Sequence, residues 1–93
     1  MFTLQIEHSI KDFDMWKSAF DRDPVSRAAS GVVSQRISRP VDDPHYVVVE
    51  LDFAALEQAE QLLANLKAKV WNSPVAAPAL TGPPQTRIVE SAG

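Results

Sequence analysis

His8, Trp16, Phe20 and Trp71 are the side chains of this sequence best suited to act on a small molecule, and three of them fall within EHSIKDFDMWKSAFD, residues 7–21. A neutral imidazole takes up a proton near pH 7, so His8 is a candidate general base, provided a substrate proton comes within about 3 Å of it. The rings of Trp16, Phe20 and Trp71 would supply walls for a flat ligand. Each residue also has a purely structural reading. His8 can be a partly buried histidine bonded to backbone, Glu7 or Asp12, and Trp16, at helical spacing from Phe13 and Phe20, can be plain core. A second group, Glu7, Arg36 and Glu50 with Arg87 as a further member, carries charge. These residues are expected to compensate one another, because an unpaired buried charge is costly. Glu7 and Glu50 would serve as an acid-base pair only at a separation that nothing in the sequence fixes.

Other chemistries are excluded by what the sequence lacks. Without a cysteine there is no disulfide, thiolate metal site or cysteine nucleophile. Two histidines, His8 and His45, and no carboxylates at ligand spacing give no metal site. The three glycines, Gly31, Gly82 and Gly93, form no phosphate loop, so no nucleotide cofactor is expected. Ser9 adjoins His8, and strand neighbours point to opposite faces, so no Ser-His-Asp set can be built from them. A net charge of −3, with no Lys/Arg cluster, argues against nucleic acid and anionic membranes as partners. MFTLQIEH has neither a basic nor a long apolar leader segment, and no apolar run approaches the roughly 20 residues that span a bilayer. The expectation is a soluble cytoplasmic protein.

The elements that must position these residues are legible from periodicity. Residues 2–8 alternate, with Phe2, Leu4, Ile6 and His8 on one face and Thr3, Gln5 and Glu7 on the other, as a half-buried strand requires. Ser9 and Asp12 fit a capping-box pattern, and Asp12 is itself an N-cap for a helix beginning at Phe13. Phe13, Trp16 and Phe20 form its apolar stripe. Asp23-Pro24 suggests that the helix restarts for a turn or two before Gly31 ends it. Residues 32–39 read as a strand with Val33, Gln35 and Ile37 on one face against Ser34, Arg36 and Ser38. After the turn at Pro40–Pro44, the run HYVVVELDF, residues 45–53, reads as a central strand forming a hairpin with it, and His45 at its start is expected to be exposed. From Asp52 the period becomes helical, with Leu56, Ala59, Leu63, Leu66 and Val70 as the stripe. Asn72-Ser73-Pro74 ends that helix, and residues 85–91 form the last strand.

The order β-α-β-β-α-β over residues 1–93 is a single α+β domain of ferredoxin-like arrangement, a four-stranded antiparallel sheet with two helices on one face. Val32, Tyr46 and Val48, with Val89 as a further candidate, fall on the other face among Thr3, Gln5, Glu7, Ser34, Arg36 and Glu50. Such a face is too apolar for water, and both helices are already used, so a homodimer packed sheet on sheet is expected.

The strand ending in His8, the run Asp12-Phe13-Asp14-Met15-Trp16-Lys17 with Phe20-Asp21, then Arg27, Gly31 and Gly82-Pro83-Pro84, resembles the dimeric α+β barrel superfamily. Within it the chain is similar to small antibiotic-biosynthesis-monooxygenase-like and cyclase-like proteins. The resemblance implies a homodimer whose sheets form a barrel, with a small aromatic ligand in a pocket between sheet and helices and no cofactor. Haem-degrading members carry a histidine on a later helix, and this chain has none beyond His45, so haem chemistry is disfavoured. Two expectations follow. One is a cofactor-independent monooxygenase or cyclase acting on an aromatic or polyketide-like compound, with His8 as base and Trp16, Phe20 and Trp71 as walls. The other is a non-catalytic dimeric small-molecule-binding or structural module.

Overall fold

The computed structural model describes residues 1–92; Gly93, the last residue of the expected domain, lies outside the described residues. The elements follow as β1 (Phe2–Ser9), α1 (Phe13–Asp21), β2 (Val32–Ser38), β3 (Tyr46–Phe53), α2 (Leu56–Asn65) and β4 (Gln85–Glu90), and a π-helical turn, Leu66–Val70, continues α2. The strands lie in the order β2-β3-β1-β4, each antiparallel to its neighbours. This is the ferredoxin-like α+β fold that the element order predicts.

Alternation places the core. Leu4, Ile6 and His8 of β1 and Val47, Val49, Leu51 and Phe53 of β3 are buried on the face that meets the helices. Leu4 pairs with Leu51, and Ile6 with Val49, so the two central strands present matched apolar rows. Asp12 caps α1 by accepting the amide of Met15 at 2.8 Å, and Trp16 and Ala19 are the residues α1 buries. In α2 and its continuation the buried stripe is Ala59, Leu62, Leu66 and Val70. Leu56, expected on that stripe, is 39% exposed, because the helix begins at the rim of the sheet, before it reaches the core.

Three local expectations are corrected. Val32 belongs to the helix-facing side and packs against the core, because a bulge at Val33 shifts the register so that Val32 pairs with Phe53 while Ser34 pairs with Asp52. The extra residue, Val33, is 59% exposed. Residues 22–31 form hydrogen-bonded turns without a second helix, since Asp23 and Ser26 take left-handed φ values of 55° and 51° that a helix cannot accommodate. Gly31 also needs its lack of a side chain: its φ is 103°, and a Cβ there would lie 2.6 Å from the Gln58 side chain. Asp52 lies in β3, four residues before α2 begins at Leu56.

Phe53 is fully buried at the end of β3, paired with both Phe2 and Val32, so its ring locks three strands together. Phe53→Ala should cost about 3–5 kcal/mol by urea unfolding, whereas Leu56→Ala, at the rim, should cost well under half of that.

Candidate functional site

His8 is the last inward-facing residue of β1, and Trp16 stands one turn into α1, close enough that their ring centroids are 6.4 Å apart in an edge-on arrangement. Trp16 stacks on Phe20 at 4.9 Å with 25° between the planes, and Phe13 completes the row at 5.8 Å from Trp16. Arg27 closes this row from outside, its guanidinium 3.7 Å above the Phe20 ring. The same guanidinium donates to the Phe20 carbonyl at 2.9 Å and to Gln35 at 3.1 Å, and it lies 3.3 Å from Asp23. Phe20 is thereby held against Trp16 by an arginine whose own position is fixed on three sides.

These side chains line one cavity of about 70 Å³ between the sheet and the helices. His8, Trp16, Phe20 and Trp71 all contribute to its wall, together with Ile6, Val49, Leu62 and the small residues Ala76, Ala77 and Ala79 of the segment that returns beneath α2. The fold thus brings together the four residues singled out for their chemistry. The volume admits a few water molecules. It falls well short of the roughly 300 Å³ that a small-molecule cleft occupies.

Within this cavity His8 is only 5% exposed. Its Nδ1 lies 3.1 Å from the carbonyl oxygen of Ser9, so of the partners considered from sequence it takes backbone over Glu7 or Asp12. Since a carbonyl only accepts, Nδ1 carries the hydrogen and Nε2 keeps its lone pair. Burial lowers the imidazole pKa below its ordinary 6.5, and the hydrogen bond to Ser9 only partly offsets this. His8 is therefore neutral at pH 7, with Nε2 as a proton acceptor.

The opposite face of the sheet holds the charged residues. Arg36 pairs with Asp52 through two hydrogen bonds of 2.8 and 3.2 Å and reaches Glu50 at 3.4 Å. Asp52 also accepts from Thr3 at 2.6 Å and from Ser34 at 2.5 Å. Those donors, Arg36 foremost, hold its carboxyl well below the usual carboxylate range. Arg36 and Glu50 therefore meet as expected, but the centre of the network is Asp52. Glu7 does not join it: it accepts from the Tyr46 hydroxyl at 2.7 Å, and this bond raises the phenol's pKa. Arg87 lies across from Gln5 on the same face. His45, exposed as expected, directs Nδ1 at the Lys11 carbonyl, and its own carbonyl accepts from Ile10, so it ties the β3 entry to the end of β1. Among the described residues no three His, Asp or Glu side chains cluster as metal ligands, and no helix is long and apolar enough to cross a membrane.

Two residues of this geometry were not assigned their roles from sequence. Asp52 follows a β-branched run and is also a common helix N-cap type, so it reads as the start of α2. Arg27 lies in a turn segment whose left-handed residues carry no glycine to mark them.

The sequence matches no protein-family model and no curated protein. Solved structures do resemble it. The fold is shared with SnoaB, a cofactor-independent oxygenase from Streptomyces nogalater, at 14% identity and a TM-score of 0.70, over 99% of this chain and 93% of that one. It is also similar to a protein of unknown function, NE2512, from Nitrosomonas europaea, at 19% identity and TM-score 0.66 over 99% and 89% of the two chains. A third likeness, at 14% identity and TM-score 0.62 over 99% and 97%, is to a dimeric ferredoxin-like protein from an uncultured marine organism. The class is therefore the ferredoxin-like α+β fold. At these identities the likeness establishes the fold alone.

The burial of His8 predicts a specific pH response. Its pKa is depressed in the folded state, so its contribution to stability is complete above the unfolded value near 6.5 and is lost as the pH falls below it. NMR titration of the His8 ring should give a midpoint below 6.5. Between pH 7 and 5 the melting temperature of wild type should fall more steeply than that of His8→Gln.

Proposed function

We propose that this chain is a homodimeric, cofactor-independent monooxygenase or cyclase acting on a small aromatic or polyketide-like compound, with His8 as general base and Trp16, Phe20 and Trp71 as the walls of its site. The observation that carries this reading is the convergence of His8, held neutral with Nε2 free, and three aromatic rings on one apolar cavity. The shared fold with a cofactor-independent oxygenase supports it. Nε2 takes a proton from a hydroxyl or activated C–H of the substrate, and the apolar wall keeps the base unprotonated until substrate arrives. In the oxygenase form, dioxygen is the oxidant. One of its atoms enters the product as a carbonyl, and the other leaves as water with the two hydrogens the substrate loses. In the cyclase form the same proton abstraction prepares a carbanion for carbon–carbon bond formation, with no change in oxidation state.

The homodimer rests on the uncovered face of the sheet. Tyr46, Val48 and Val89 form an apolar area there beside the Arg36–Asp52 network, and both helices lie on the other side. A second copy packed on this face would complete a barrel. The dimeric neighbour supports that arrangement.

A second reading has a specific observation in its favour. At about 70 Å³ the cavity is nearly filled by the protein's own side chains, as in a non-catalytic dimeric module. Sedimentation followed by titration separates the readings. The protein should sediment at twice its chain mass. A panel of polycyclic phenols, quinones and haem should then show saturable quenching of tryptophan fluorescence by the phenols, with oxygen uptake or ring closure. His8→Gln, which keeps most of the side-chain volume, should reduce turnover by at least about 100-fold while the variant remains folded and dimeric. An intact dimer with a flat response across the panel would establish the module instead.

A further inference from the structure

Trp71 and Leu80 line two spaces at once: the narrow cavity of His8, of about 70 Å³, and an open groove of about 410 Å³ on the outside, between the end of α2 and the Gly82-Pro83-Pro84 segment. The groove is large enough for a small ligand, and the inner cavity is not.

Their freedom differs. Leu80 is pinned, because it bridges to Ile10 while its neighbours Ala79 and Thr81 accept from Lys11 and donate to Ser9, at 2.9 and 3.4 Å. Trp71 is half-buried and ends the π-helical turn, with its amide bonded five residues back to the Leu66 carbonyl at 2.9 Å. That extra residue rotates Trp71 by about 100° from where an uninterrupted α-helix would carry it, and so sets its indole between the two spaces. Beyond it the chain leaves the helix at Asn72, so the side chain can change rotamer without unwinding α2. The wall on the other side of the cavity is tighter, since Arg27 there is held by Phe20, Gln35 and Asp23.

We propose that Trp71 is a gate: the outer groove, flanked by Lys67 and Asn72, is the vestibule through which a small molecule reaches His8, and displacement of the indole joins the two spaces into one site. The gate gives the cavity of the proposed function an entrance and rests on that reading for its purpose. Its test requires no substrate, so the two can fail separately.

The probe is diethyl pyrocarbonate at pH 7. The lone pair of His8 Nε2 attacks the reagent, an N–C bond forms, and the departing ethyl carbonate breaks down to ethanol and carbon dioxide. Modification of His8 and His45 is followed by mass spectrometry of the two peptides, with exposed His45 as the internal reference. In wild type His8 should react slowly. Trp71→Ala should accelerate it at least tenfold and Trp71→Phe by less, with His45 unchanged. Val25→Ala, which trims a side chain that lines the cavity and not the groove, should leave the His8 rate within about twofold. If Trp71→Ala also unfolds the chain, Trp71→Phe at an unchanged melting temperature becomes the deciding variant. The gate is refuted if His8 reacts at the wild-type rate in the folded Trp71 variants, or if Val25→Ala accelerates it as much.

Discussion

The antiparallel register of β1 on β3 is the constraint on which the rest depends. With Leu4 opposite Leu51, Ile6 opposite Val49 and His8 opposite Val47, the fully buried apolar rows of the two central strands turn to the helices, and His8 turns with them. A slip of one residue would exchange the faces, putting His8 in water and Glu7, Glu50 and Asp52 under the helices. No charge there would have a partner, so the register is protected by the cost of the alternative as much as by the packing it achieves. The position of the candidate base is thus a consequence of core formation. It needs no loop to carry it, which makes it rigid.

The two faces handle polarity in different ways. On the open face, Arg36 serves Asp52 and Glu50 together, and Thr3 and Ser34 satisfy the remaining lone pairs of Asp52, so the charges are compensated within the sheet. Arg36 is half-exposed and water still screens it, which makes the network a device for register and for mating surfaces more than a source of stability. It links β1, β2 and β3, and the bulge at Val33 is what brings Ser34 opposite Asp52. Among the described residues buried on the helix face, His8 is the one polar side chain, satisfied at Nδ1 by a backbone carbonyl. A lone imidazole in an apolar wall is neutral, and its tautomer is fixed.

Much of this was legible in the sequence. Alternation in FTLQIEH put His8 on the buried face, the β-branched run of YVVVELDF marked the central strand, and Asp12 announced α1. What failed did so for local reasons. A bulge needs no glycine, so nothing in VVSQRIS signalled that Val32 and Val33 depart from alternation. Asp52 carries two contrary propensities, and a long-range partner, Arg36, decides between them. The stripe of α2 centres on Leu62 because the helix meets the sheet at an angle that its own periodicity does not contain. Convergence of Trp71 with His8 depends on the π-helical turn, and LKAKV reads as ordinary helix.

That turn also bears on why the cavity is small. An α-helix running straight from Leu56 to Val70 would place Trp71 about 100° elsewhere around its axis. With the inserted residue the indole lines the cavity, while the chain after Pro74 supplies Ala76, Ala77 and Ala79, whose short side chains leave the space unfilled. The aromatic side chain and the alanines act together: small residues leave room, and one large ring on a locally unwound segment occupies the boundary of that room. A core selected for stability alone would fill such a space with leucine, at a gain of about 25 cal/mol for each Å² covered. Leaving it lined by alanines and bounded by a tryptophan forgoes that gain, and the forgone packing lies next to His8, the buried titratable group of that wall.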